Sequence, residues 1–411
     1  MHLGLRLFLP FAAGYFLSYL LRNVNAIIAP DLTRELGVSA ADLGLLTSAY
    51  LLTFSSFQLP LGILLDRYGP RRVEAVLLLI AAAGSAWFAT GASLPELALA
   101  RAAIGLGVCA CLMAAFKAFS VWFPVERLPS LNAAVMVAGG LGALAATTPL
   151  VWAVQTFGWR GLFLVLALLT AIAAAGIFST PEKPASTAGG TLGQQLRELG
   201  EVLRSRTFWS YAPMCAAGLG GFVGLQGLWA VPWLMHVSGA TREVAAFHML
   251  LTTLAMVCGF LATALFIGPL RQRGVTPGVV MTIGNAIGLA AMLAIWQGFG
   301  GSHVLWFVLG AVFAIGNLAY AEITSQFAPT LAGRVNAALN LATFMGAFLI
   351  QWSYGVLLDR LTSAGWTPAE SHSATFAALL ATQAAGFAWF LWSRSAASRR
   401  AGVLRTSGEN A

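Results

Sequence analysis

The chain has 411 residues, of which 58% are hydrophobic and only 9% charged, and its mean hydropathy is +0.79 with a formal net charge of +8. Soluble domains carry roughly 25% charged residues. This chain therefore lacks the charge to coat a water-facing surface and must turn most of its surface to lipid.

A membrane-spanning helix takes about 20 apolar residues. Apolar runs between charged or Pro/Gly-rich breaks predict spans at 6–28, 42–64, 73–92, 97–121, 130–154 and 160–178. A second set follows at 209–232, 246–268, 277–297, 303–325, 334–358 and 374–393. The first run is read as a retained helix, because a removable signal peptide has a shorter core and a small-residue cleavage site. Cys109, Cys111, Cys215 and Cys258 all fall within apolar segments. They lack the spacing and partners of a metal site or disulfide, and are read as small packing residues.

The basic residues set an orientation. With the N-terminus inside, 16 of the 23 Lys and Arg residues fall in cytoplasmic segments. Only Arg34, Arg160, Arg242 and Arg360 fall in outer loops, and Arg22, Arg101 and Lys117 are left in or near the membrane. The net charge is thus a topology signal, and no nucleic-acid partner is expected. Both termini are expected in the cytoplasm of a bacterial cell, with the chain as a multi-pass monomer of the inner membrane.

The one long connection runs over about 180–208. Its first part, rich in Pro, Ala, Ser, Thr and Gly, reads as flexible linker. In its second part Leu192, Leu196, Leu199 and Leu203 recur at helical spacing, which predicts an amphipathic helix on the inner surface. The expected organisation is a six-helix bundle over 1–180, a cytoplasmic linker over 181–208, and a second six-helix bundle over 209–411 with a basic tail. An internal repeat supports it. Residues 131–144 align without a gap on 335–348 with six of fourteen positions identical, an offset of 204, and Gly69 meets Gly274 at an offset of 205.

Between the second and third spans stands Gly62-Ile-Leu-Leu-Asp66-Arg67-Tyr-Gly69-Pro-Arg71-Arg72. This resembles the signature of the major facilitator superfamily. The physical reading gives Gly62 a close helix approach, Gly69 a tight turn, and Asp66 an arginine or helix N-terminus as partner. Arg101-Ala-Ala-Ile-Gly105-Leu-Gly107, Trp122-Phe-Pro-Val-Glu126-Arg127 and Gly158-Trp-Arg160 are similar to other family sequences. The resemblance implies an all-α membrane protein of twelve helices in two pseudo-symmetric six-helix bundles. It also implies an inner-side latch, for which Asp66, Arg67, Arg71 and Arg127 are the candidates. Gly139, Gly140 and Gly142 fall short of the Gly-Pro motif of antiporters.

A charge at the bilayer centre costs about 2.5–3.5 kcal/mol on insertion scales, so intramembrane charges mark functional candidates. Arg22 lies in the first helix beside Tyr15, Ser18, Tyr19 and Asn25, and Lys117 lies in the fourth. Either points into a central cavity or snorkels to an interface. Tyr19-x-x-Arg22 resembles the organic-anion branches of the superfamily, where the arginine grips the substrate's acidic group. Those branches often carry a Glu after the Gly-x-Gly of the fourth helix, where this chain has Val108. Glu322 stands out as the one embedded carboxylate. It is expected either to pair with Lys117 across the halves as an inner gate, or with Arg334, or to face water. From the second half, Gln226 and Trp229 of the seventh helix and Asn340 and Gln351 of the eleventh are candidates for the cavity or for helix–helix glue; Gln226 is the counterpart of Arg22 at an offset of 204.

The expected function is secondary active transport by alternating access of a small organic anion or zwitterion, with protons as the coupling ion and no cofactor. Efflux of amphipathic compounds and a non-transporting membrane sensor are the alternatives. No nucleophile–base pair, metal-ligand cluster or phosphate-gripping glycine loop points to an enzyme or an ATP-driven pump.

Overall fold

The computed structural model describes residues 2–124, 127–181, 192–328 and 331–408. Among them there is no strand, and twelve helical spans follow one another in chain order. The first half comprises α1 (His2–Leu36), α2 (Ala40–Ser56 and Gln58–Tyr68), α3 (Pro70–Thr90) and α4 (Leu94–Val108 and Cys111–Trp122). Next come α5 (Leu128–Ala145, running on into Thr148–Phe178) and α6, which begins where Gly158 breaks that long helix. After the linker helix Leu192–Arg204 come α7 (Arg206–Val237), α8 (Arg242–Gln272) and α9 (Pro277–Phe299). The chain ends with α10 (His303–Gly316 and Leu318–Thr324), α11 (Ala332–Ser363) and α12 (Pro368–Gly408).

The helix starts follow from local chemistry. Ser39 and Asp42 form a reciprocal capping box at α2, and the hydroxyls of Thr241 and Thr276 accept from the first-turn amides of α8 and α9. Gly69 and Gly274, paired by the sequence repeat, carry φ of 81° and 82°, and each provides the turn between the second and third helix of its half. In the same way Gly142 brings α5 against the Phe16 carbonyl of α1, and Gly346, its repeat partner, brings α11 against the Ala216 carbonyl of α7. Small residues that let backbones touch are what associates helices in lipid. Gly62 behaves differently from its expectation: it faces open space rather than a neighbouring helix.

The halves meet where α2 packs on α11, where α1 packs on α7, and where α5 packs on α8. At the end away from the linker the seal is tight. Gly44 of α2 lies against the Gln351 carbonyl and Trp352 of α11, and the Asp359 carboxylate of α11 accepts from the Ala40 and Ala41 amides at 2.9 and 2.7 Å. That carboxylate sits on the positive end of α2. Arg242 of α8 bonds Asp31 of α1 at 2.7 Å, with both side chains 18% exposed. One apolar core runs through both halves at this end, and a separate one gathers in the second half around the linker helix.

Candidate functional site

Between the two cores lies a cavity of about 1270 Å³, bounded by helices of both halves and by the linker helix. Its lining runs from Arg22 and Tyr19 near mid-chain depth to Leu61, Ser120, Leu199 and Arg334 at the linker end. The far end is sealed by the contacts just described, so the cavity opens on the linker side.

Tyr15, Ser18, Tyr19 and Arg22 of α1 present one face to the cavity. The α1 backbone can lie close enough to do this because Gly142 allows α5 to nest on it. The Arg22 guanidinium carbon stands 4.7 Å from the ring centres of Tyr19 and Phe54 and 5.1 Å from that of Phe344. Aromatic faces hold a cation in place without neutralising it. Among the described residues no carboxylate pairs with Arg22, and its Nε has no hydrogen-bond partner. Lys117 also lines the cavity, about a turn from the end of α4.

Across from Arg22 the second half presents neutral polar groups. Phe344, which covers the guanidinium, lies one turn from Asn340 on α11. The Tyr320 hydroxyl of α10 lies 3.3 Å from both the Asn340 Oδ1 and the Thr343 hydroxyl. Asn317 and Asn336 line the same wall, and Asn336 accepts from Thr324 at 2.8 Å. Around Arg22 the cavity thus sets a cation of one bundle against hydroxyls and amides of the other, with Arg334 of the second bundle at the linker end. That is a match for a small anion bearing hydroxyl groups.

Several candidates lie elsewhere. Asn25 is fully buried and donates to Thr47 of α2 at 3.0 Å, tying α1 to α2. Gln226 donates to Thr253 of α8 at 3.1 Å and does not line the cavity. Gln226 stands at the start of a π-helical turn over Leu225–Trp229, beyond Leu219 and Val223, the α7 residues that do line the cavity. Trp229 is buried, donates to the Gln351 carbonyl at 2.8 Å and stacks on Tyr354; Gln351 reaches back to the Gly224 carbonyl at 3.3 Å. Both hold α7 to α11.

The expected inner gate differs as well. Glu322 stands outside the cavity lining and faces Arg394 of α12 at 3.8 Å, on the side of α10 turned from Lys117. Arg334 pairs instead with Glu198 of the linker helix at 3.0 Å. That helix packs Leu199 and Val202 into the second half's core and leaves Arg197 and Glu201 exposed on its other side. Arg71 donates to the Phe178 and Thr180 carbonyls and so fastens α3 to the end of α6. Arg67 and Arg127 are exposed, and the Asp66 side chain, Glu126 and residues 182–191 with Lys183 lie outside the described residues. Cys258 is exposed, in contrast to the packing role read for it, and Cys109 lines the cavity.

The wall residues Asn317, Tyr320 and Arg334 were not anticipated. Asn317 marks the break between the two segments of α10, and an Asn–Tyr pair three residues apart in an apolar run was the available signal. Arg101 is fully buried, donates to the Leu21 carbonyl at 2.9 Å and clamps α4 to α1. In the Gly158-Trp-Arg segment, Trp159 and Arg160 both bond Glu35 of α1, at 2.6 and 2.8 Å, closing the far end of the first bundle.

Residues 11–351 match the sequence profile of the Major Facilitator Superfamily. The chain belongs to this superfamily. It is similar to the hexuronate transporter of Escherichia coli K12, 26% identical over 393 residues that cover 88% of this chain and 89% of that one. It also resembles the galacturonate transporter of Dickeya chrysanthemi, 29% identical over 48% of this chain and 63% of that one. Among solved structures, a bacterial homologue of the human lysosomal transporter Spinster, in its inward-facing and unoccupied conformation, superposes with a TM-score of 0.75. The identity there is 18%, over 94% of this chain and 96% of that one. This superfamily member is therefore a multi-pass secondary transporter of a small organic solute rather than an enzyme, built on the twelve-helix, two-bundle fold.

Proposed function

We propose that the chain imports a hydroxylated organic acid of the hexuronate kind, coupled to protons, across the bacterial inner membrane. The observation that carries the reading is Arg22: a guanidinium without a protein carboxylate, set in an aromatic cage on the cavity and facing an amide–hydroxyl wall. A guanidinium binds a carboxylate through two parallel hydrogen bonds, which also fixes the ligand's orientation. The wall from Asn317 to Asn340 then reads the sugar hydroxyls, while Phe54 and Phe344 cover carbon. Hexuronate and galacturonate transport by the similar proteins supports this chemistry.

In this reading the linker side is cytoplasmic, as the distribution of basic residues requires, so the cavity is open inward and the far end is the closed outer gate. The two bundles, 1–180 and 209–411, rock about Arg22, with residues 181–208 joining them on the cytoplasmic side and both termini cytoplasmic. Release from the inward state follows when the acid leaves Arg22 for water at the Lys117 and Arg334 mouth. The protein acts as a monomer with both halves of the site in one chain.

The test is uptake into proteoliposomes of radiolabelled D-glucuronate and D-galacturonate, with an imposed pH gradient, acid outside, and D-glucose as a neutral control. The reading expects accumulation of the two acids, none of glucose, and collapse with a protonophore. Binding without flux would make the chain a sensor. Flux of amphipathic drugs in place of the acids would make it an exporter.

A further inference from the structure

We propose that Glu74 of α3 is a proton-binding site of this transporter, a carboxyl that gains and loses its proton during the alternating-access cycle. The inference rests on the proton-linked reading above and gives that coupling a place in the chain.

Glu74 begins the second turn of α3 and is fully buried. Neither carboxyl oxygen has a nitrogen or oxygen hydrogen-bond partner among the described residues, and no ion pair reaches it there; the Cys111 thiol, a weak donor, is its one polar neighbour. Its surroundings explain how it fits. On α1 it abuts Gly14, where an added Cβ would come within 2.7 Å of Oε1, so the glycine makes the room for the carboxyl. Leu78 of its own helix and Ile177 of α6 close the same spot. On α4 the Cys111 thiol is the polar group beside it, with Cys109 and, from α1, Tyr15 next in line. The basic neighbours on its own helix are directed elsewhere: Arg71 reaches the α6 carbonyls and Arg72 is exposed.

A carboxylate cannot stay charged in such a place without a partner; the group takes a proton instead. In the state seen here, open on the linker side, Glu74 is therefore the neutral acid. A neutral acid whose one polar neighbour is a thiol, a weak donor, still loses to a leucine of like size, since its polar atoms are poorly satisfied. What justifies a carboxyl there is a second state in which it meets water or a cation. Its site lies inside the first bundle, between α1, which carries Arg22, and the point where α4 breaks between Val108 and Cys111. Cys109 and Tyr15, both neighbours of Cys111, line the cavity. A small parting of α1 from α4 past these two side chains opens Glu74 to the cavity water. The exchange is a proton transfer alone: carboxylic acid to carboxylate plus a hydrated proton, and back. Val108 stands one turn along α4, at the position where the resemblance led one to look for an acid; Glu74 brings a carboxyl to the same neighbourhood from α3.

The experiment uses the full-length transporter and Glu74→Gln in proteoliposomes, with two readouts. The first needs no substrate: infrared difference spectra between acid and alkaline buffer. A protonated-carboxyl band that titrates in the wild type and is missing in Glu74→Gln is expected; identical difference spectra would overturn the proposal. The second uses D-glucuronate. Glu74→Gln is expected to keep exchange of labelled for unlabelled glucuronate while pH-driven accumulation falls by at least about tenfold, with Glu74→Asp restoring part of it. Full accumulation by Glu74→Gln would sink the idea. If the wild type moves no glucuronate, the function reading fails and the infrared band still decides the proton site. If Glu74→Gln does not fold, Glu74→Asp with a displaced infrared titration midpoint supports the proposal, and an unmoved one refutes it.

Discussion

The two bundles are built on one plan and contribute opposite chemistry to the cavity. Gly69 and Gly274 make the same turn, and Gly142 and Gly346 make the same close approach, so the scaffolds are equivalent. Even the glue is matched: Asn25 ties α1 to α2 through Thr47, and Gln226 ties α7 to α8 through Thr253. Yet the first bundle brings Arg22 and Lys117 to the cavity, and the wall facing Arg22 brings Asn317, Tyr320, Asn336 and Asn340. The two first helices also differ in that α7 carries a π-helical turn at Leu225–Trp229 with no equivalent in α1, and its Gln226 bonds Thr253 instead of lining the cavity. A repeated scaffold thus yields an asymmetric lining around Arg22; in the proposed function one half holds the charge of the solute and the other reads its neutral part.

That division of labour is open to a direct break. Arg22→Ala removes the one charge set against the neutral wall, and losing a buried charged hydrogen-bond partner costs about 3 kcal/mol. Glucuronate uptake at low concentration is expected to fall roughly a hundredfold, with Arg22→Lys recovering little because an ammonium lacks the fork. Asn340→Ala and Tyr320→Phe sharpen the other side of the comparison. Each removes a neutral hydrogen bond worth about 1 kcal/mol, so uptake is expected to fall about fivefold. The loss should be smaller for an acid that lacks ring hydroxyls, measured as competition against labelled glucuronate.

Much of this was legible from residue order, because lipid imposes a strong rule: each apolar run of spanning length must be a helix. The twelve spans and the exceptional standing of Arg22 follow from that rule alone. What stayed hidden depends on helix rotation and depth. Gln226 is the counterpart of Arg22 by count, but the count does not say which neighbour its amide meets, and Thr253 of α8 takes it. Glu74 falls at the very start of the predicted span 73–92, two residues after Arg72, and does not stand out there as an embedded carboxylate. In fact Gly69 ends the turn abruptly, α3 starts at Pro70, and Glu74 is already inside the bundle. Glu322 shows the reverse error, since its apolar flanks made it look central although it faces Arg394.

The contact between the bundles at the far end supplies a test of intermediate size. Asp31 and Arg242 are largely shielded from water, and Arg242 reaches the Ile27 carbonyl as well. Asp31→Asn leaves the guanidinium without its anion in the sealed state, while in a state open at that end water solvates it. The sealed state is expected to lose about 1–2 kcal/mol, a tenfold shift in population. Spin-label distances between the far ends of α1 and α8 should broaden towards longer values; an unaltered distribution would remove this pair from the gate.

The smallest expected effect belongs to the pair at the opposite end. Arg334 and Glu198 are 3.0 Å apart, but their side chains are 32% and 24% exposed, and pairs so accessible to water contribute at most about 1 kcal/mol. The linker helix is held mainly by apolar burial, with Val202 fully enclosed against the core that includes Phe208, Val335 and Leu339. Glu198→Gln should therefore change uptake by no more than about twofold, through the freed charge of Arg334 at the mouth. Val202→Asp places a charge in that core and should detach the helix, raising protease cleavage between residues 192 and 204. If Glu198→Gln detached the helix as fully as Val202→Asp, the bridge rather than the apolar face would be what docks the linker to the second bundle, and the mouth of the cavity would be governed by charge.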